Sequence, residues 1–140
     1  VELILVGAAE SETAAKALDR AGQIAAALGG RLLVVTAYGS DEVDVIGVGS
    51  DTFVLSTADH AQEFVAREAA RLSAAYGIDA QGLAISGKPH TVLIDQAKAH
   101  GATLIVVGNV RMQGVGRVLG SVANDVTHHA PCDVYVVKTS

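Results

Sequence analysis

The sequence predicts an α/β fold: a five-stranded, open, twisted parallel sheet with helices on both faces. Three observations carry that prediction. Short apolar runs rich in β-branched residues alternate with longer alanine-rich stretches of helical spacing, the pattern of successive βαβ units. Within 140 residues, half of them hydrophobic and only two of them proline, no repeat or linker interrupts the alternation, so residues 1–140 read as a single domain with a substantial core. One apolar run leads directly into a glycine-rich loop and then a helix start, where open α/β sheets hold their ligands.

Each element can be justified in chain order. A first strand is expected over Glu2 to Val6, followed by a helix over about Ser11 to Leu28. In that helix Ala14, Ala17, Leu18, Ala21, Ala25 and Leu28 form one stripe, Ser11 suits the N-cap, and Gly29-Gly30 suits the stop. The second strand, Arg31 to Thr36, precedes the longest segment without clear periodicity, Ser40 to Ser56. That segment mixes Asp41, Glu42, Asp44 and Asp51 with Val43, Val45, Ile46, Val48 and Phe53. It fits a flap over a cleft, a partner surface, or a solvated connection tethered by its hydrophobics. A second helix is expected from about Thr57 to Tyr76, closing at Gly77 and presenting Ala61, Phe64, Val65, Ala69 and Leu72 to the sheet. The third strand, Gln81 to Ser86, turns through Gly87-Lys-Pro-His90 into a third helix. Pro89 suits its first turn, and Val92, Leu93, Ile94 and Ala97 are its apolar residues. Thr103 to Val107 forms the fourth strand, a helix starts near Gly120-Ser121 and ends before Pro131, and Asp133 to Lys138 forms the fifth strand. Right-handed crossovers wind these units into a doubly wound sheet, with a ligand crevice at the carboxyl ends of the strands where the winding reverses.

The chemistry concentrates in Val106-Val-Gly-Asn-Val-Arg-Met-Gln-Gly-Val-Gly-Arg-Val-Leu-Gly-Ser121. Backbone that approaches a phosphate closely needs residues without a Cβ, and a helix N-terminus offers free N–H groups and the positive end of a dipole. No Asp or Glu occurs from Gln96 through Asn124, whereas Arg111 and Arg117 lie in the loop, so the segment is locally cationic in a chain of net charge -5. The combination points to a nucleotide, against the alternative of a crossover that uses glycines only for tight turns. Ser121 suits either a phosphate contact or an ordinary N-cap.

Gly108-Asn-Val-Arg111, the later Gly120-Ser121 pair and His128-His-Ala-Pro-Cys-Asp-Val-Tyr-Val-Val137 together resemble the C-terminal signature of the universal stress protein family, close to its ATP-binding subgroup. Two departures stand out: Arg111 replaces a motif glycine, and Ala9 stands where the first strand of that family ends with an Asp that reaches the nucleotide. Gly114 and Gly116 offer backbone freedom near the substituted glycine. The resemblance implies a Rossmann-like sheet of strand order 3-2-1-4-5, which sets Ala8-Ala9 and Gly108-Asn109 across one cleft. It also implies an adenine nucleotide, ATP or AMP, bound by Ala8, Ala9, Ala37, Gly108, Asn109, Arg111, Gly120, Ser121 and Val122. Ala37, placed just after the second strand, matches the small apolar residue that packs beside the adenine ring. The implied role is a sensor or regulator of stress response, with Mg²⁺ entering on the nucleotide, a homodimer paired through strand 133–138, and a regulatory protein as a further partner. The alternative is a dimeric interaction protein on the same fold that binds no nucleotide.

Other classes of function are disfavoured. Fifteen acidic against ten basic residues oppose nonspecific attraction to nucleic acid or anionic membrane. The single cysteine, Cys132, has no internal disulfide partner, no run of 18 apolar residues suggests a membrane span, and no signal-peptide pattern opens the chain, so a cytoplasmic location is expected. His128, His129 and Cys132 are metal-ligand types, but a helix end running into a strand would splay them, and no metal site is assigned. No catalytic triad or acid pair can be placed, and no P-loop lysine is present, so at most slow ATP hydrolysis is expected.

Overall fold

In the computed structural model, β1 (Leu3–Gly7), β2 (Arg31–Tyr38), β3 (Ala80–Ser86), β4 (Leu104–Gly108) and β5 (Asp133–Val137) pair in parallel in the order β3-β2-β1-β4-β5. The structure describes residues 2–9, 14–39, 50–109 and 121–139, with residues 50–57 described as backbone only. The helices are α1 (Ala14–Leu28), α2 (Ser50–Tyr76), α3 (Pro89–His100) and α4 (Ser121–His129). β1 is the central strand, with Leu5 opposite Leu33 on one side and opposite Ile105 on the other.

Alternation along each strand divides the core into two layers. Ile4, Val6, Leu32, Val34 and Val106 face α1 and α2, packing on Ala17, Leu18, Ala21, Phe64, Val65 and Leu72. Leu3, Leu5, Leu33, Val35, Ile105 and Val107 face α3 and α4, packing on Val92, Leu93, Ala97, Ala123 and Val126. Leu3 through Val6 are all buried because the sheet is covered on both faces, and each such side chain contributes about 1.5–3 kcal/mol relative to exposure. α1 and α2 both stop at a glycine in the left-handed region, Gly29 at φ 66° and Gly77 at φ 66°, a conformation that costs a residue with a Cβ. Arg71 and Tyr76 of α2 also reach Asp19 of α1, each at 3.0 Å; this pairing is half exposed and worth little beside the packing.

Two expected boundaries are corrected. The helix expected from Thr57 starts at Ser50, so residues 50–56 belong to α2, and the rest of the suggested flap, residues 40–49, lies outside the described residues. No Gly or Pro occurs between Asp51 and Tyr76, so nothing interrupts the helix, while Thr52, Phe53, Val54 and Thr57 masked its periodicity with β-favouring residues. β2 continues two residues past Thr36 because β3 pairs with it as far as Tyr38 opposite Ser86. Ala37 is therefore a strand residue, opposite Ile85. The expected N-cap Ser11 lies outside the described residues.

Candidate functional site

From β1 the chain builds outward through β2 and β3, then returns to the far side of β1 to build β4 and β5. Connections from β1 and β4 turn to opposite faces there and leave a crevice between them. A cleft of about 540 Å³ opens at this point, within the range of about 300–1,000 Å³ usual for small-ligand sites. Its lining comes from the carboxyl ends of the strands, Gly7 to Ala9, Val35 to Gly39, Val107 and Gly108, together with Thr139 after β5. The helices add Ala14 and Ala17 of α1, His60, Ala61 and Phe64 of α2, Pro89 and Leu93 of α3, and Val122 of α4.

Five of the residues singled out by sequence, Ala8, Ala9, Ala37, Gly108 and Val122, line this one cleft. Ala8 N–H donates to the Val35 carbonyl at 2.9 Å, which holds the end of β1 against β2. Asn109 is not itself on the lining. Its N–H donates to the Val137 carbonyl at 2.9 Å, and its Oδ1 accepts from both the N–H and the hydroxyl of Thr139, at 2.9 and 3.0 Å. Asn109 thus fixes a residue of the lining from behind. Ser121, exposed, is the first residue of α4, beside Val122. Arg111 and Gly120 lie outside the described residues.

Thr36 and Thr139 are the buried polar side chains among the described residues, and both line the cleft. Periodicity did not single out either: Thr36 sits within an apolar strand and Thr139 just beyond one. The only available signal was a polar residue in an otherwise apolar run. The contribution of α2 also escaped sequence reading, since it depends on how that helix lies across the end of the sheet. A Cβ at Gly108 would lie 3.1 Å from Thr139 Cγ2, so a side chain there would crowd the wall.

No carboxylate, lysine or arginine occurs among the described lining residues. The fixed positive potential is that of the α4 N-terminus, whose first turn contains no acid and whose leading N–H groups have no partner within the helix. His90, next to Pro89, lies 3.6 Å from Asp125 and links the start of α3 to the middle of α4. At the far end of α4, His129 Nδ1 lies 3.0 Å from the Asp125 carbonyl. Burial pushes the nearby Cys132 thiol up, with Asp133 adding to the effect, which disfavours the thiolate that binds metals. Among the described residues, no group of three His, Cys, Asp or Glu could hold a metal ion, and no helix is long and apolar enough to cross a membrane.

A sequence profile of the universal stress protein family matches residues 2–138. The chain belongs to the universal stress protein family. A universal stress protein of Mycobacterium tuberculosis strain H37Rv is 31% identical over 143 residues, covering 98% of this chain and 96% of its own. Among solved structures, UspA from Lactobacillus plantarum superposes with a TM-score of 0.82 at 24% identity, over 98% of this chain and 97% of its own. That likeness is one of fold. A universal stress protein crystallised in complex with cAMP superposes with a TM-score of 0.74 at 32% identity, over 99% of this chain and 98% of its own.

Proposed function

We propose that this universal stress protein binds an adenine nucleotide in the switch-point cleft and acts as a sensor or regulator. The observation that carries the reading is the convergence of Ala8, Ala9, Ala37, Gly108 and Val122 on one cleft of ligand size, beside the acid-free N-terminus of α4. The phosphates lie toward that N-terminus, with Ser121 and the loop residues Arg111 and Gly120 as their further partners. The base lies toward Ala37 in β2. The cAMP complex of a relative at 32% identity supports the ligand class. The function is binding, with at most slow hydrolysis, since the sequence carries no P-loop lysine in a Gly-Lys-Ser/Thr context. When the ligand is a triphosphate, Mg²⁺ arrives on its phosphates.

The test is to denature the purified protein, identify released small molecules by mass spectrometry, and titrate ATP, AMP and cAMP calorimetrically. Co-purified adenine nucleotide or saturable binding supports the reading. Failure of all three to bind overturns it and leaves the alternative, an interaction protein on the same fold, which Ala9 and Arg111 in place of the family's Asp and glycine favour.

The partner edge in either case is β5, which pairs with β4 on one side only. The opposite edge strand, β3, is partly covered by Gln62 of α2, which bonds the Gly82 carbonyl at 3.4 Å and the Ala84 N–H at 3.2 Å. Among the described residues, no side chain does the same for β5. Val137 C=O faces β4, where it accepts from Asn109, so the alternate residues Val134 and Val136 direct their backbone groups to the open edge. A second copy pairing antiparallel across a two-fold axis satisfies both edges.

A further inference from the structure

We propose that Thr36 reads the base of the nucleotide, its hydroxyl hydrogen-bonding the edge of the adenine ring; the inference rests on the nucleotide reading above. Thr36 is only 7% exposed, it lines the cleft, and its hydroxyl makes no hydrogen bond to any described residue. A buried hydroxyl without a partner opposes folding. Thr139, the other buried polar side chain of the cleft, is engaged with Asn109; Thr36 has no counterpart to Asn109.

The surrounding strand sharpens the contrast. Leu32, Leu33, Val34 and Val35 precede Thr36 in β2, all buried, and valine has the shape of threonine without the hydroxyl. Packing alone would favour valine at position 36. The polar atom sits where a ligand group, rather than the fold, completes it.

Position selects the base rather than the phosphate. Thr36 lies on β2, on the face shared with Val34, α1 and α2, whereas the anion-attracting N-terminus of α4 packs on the opposite face of the sheet. β2 and β4 are separated by β1, two strand spacings or about 10 Å, a span that a nucleoside bridges from base edge to 5′-phosphate. Phe64, also on the lining and in the layer on the same face as Thr36, gives an aromatic ring apolar surface on that side of the sheet. A neutral hydroxyl that both donates and accepts suits the mixed donor and acceptor edge of adenine.

The experiment compares wild type, Thr36→Val and Thr36→Ser by thermal melting without ligand and by calorimetric titration with ATP and adenosine. The valine variant should melt a few degrees higher than wild type, because a methyl replaces an unsatisfied hydroxyl. It should bind ATP and adenosine about three- to tenfold more weakly, by the same factor for each, since the lost bond is to the base they share. The serine variant, which keeps the hydroxyl, should bind within about twofold of wild type. A lower melting temperature for Thr36→Val means that the hydroxyl serves the fold, and overturns the inference. Unchanged binding by Thr36→Val, or a loss confined to ATP, overturns it while leaving the nucleotide reading intact. Wild type that binds neither ATP nor adenosine overturns both.

Discussion

Substituting alanine for Gly82 should separate α2 from the sheet and weaken the cleft with it. A Cβ at Gly82 would lie 2.5 Å from both the carbonyl carbon and the oxygen of Val65, and 2.9 Å from the nitrogen of Ala66. All three are backbone atoms of α2, so no rotamer change relieves the clash. Restoring ordinary contact requires β3 and α2 to part by about 1 Å. Phe64, Val65, Ala69 and Leu72, all buried, would then lose contact with β1 and β2. Overpacking of this kind costs about 1–3 kcal/mol, and occasionally more; the backbone-to-backbone clash places this case near 3 kcal/mol. For 140 residues the unfolding entropy is about 0.3 kcal/mol/K, so Tm should fall by about 10 °C. Gly77→Ala is the control: unlike Gly82 it has a left-handed φ of 66°, but a Cβ there meets nothing within 4 Å, so it carries only the strain of about 1 kcal/mol. Calorimetric melting of the two variants decides the matter. Gly82→Ala melting within about 3 °C of wild type, or no lower than Gly77→Ala, would refute the reasoning. Because α2 also supplies His60, Ala61 and Phe64 to the cleft, nucleotide affinity should fall for Gly82→Ala and not for Gly77→Ala.

Four further outcomes are expected. Asn109→Ala removes the acceptor of two bonds to Thr139 and should cost about 1–3 kcal/mol in urea unfolding, with weaker nucleotide binding; unaltered stability would show those bonds to be dispensable. Burial raises the Tyr76 hydroxyl above its usual range and Asp19 adds to the shift, so its contribution to stability is whole below about pH 10 and is lost as pH rises through the raised folded value. Wild type should therefore lose more Tm than Tyr76→Phe between about pH 9 and about pH 11, and parallel curves would contradict the assignment. Val136→Pro removes an amide from the open edge of β5 without touching the β4 ladder, and sedimentation should show monomers; an unchanged dimer argues for another interface. Arg111→Gly should weaken ATP binding by about 1.5–3 kcal/mol, the range for hydrogen bonds to charged groups, and affect adenosine less, whereas tighter calorimetric binding would identify Arg111 as a plug.

The sequence by itself determined the element types and their order, because hydrophobic periodicity and glycine placement are local properties that survive without knowledge of what packs on what. Leu3 to Val6 reads as a strand from composition alone, and Ala17, Leu18 and Ala21 read as a buried stripe from spacing alone. The chain motif around Gly108 located one side of the cleft for the same reason, since the proposed phosphate cradle is a stretch of consecutive backbone. Tertiary structure alone decided the other side. That His60, Ala61 and Phe64 reach the ends of β1 and β2 depends on how α2 crosses the sheet, which Gly82 permits through close backbone approach rather than through any helical signal. The start of α2 at Ser50 was obscured because β-branched residues in a long helix are tolerated once tertiary packing outweighs their local preference. Thr36 and Thr139 became visible as site residues only when burial was known, because a threonine in a strand is ordinary by sequence and exceptional only when water cannot reach its hydroxyl.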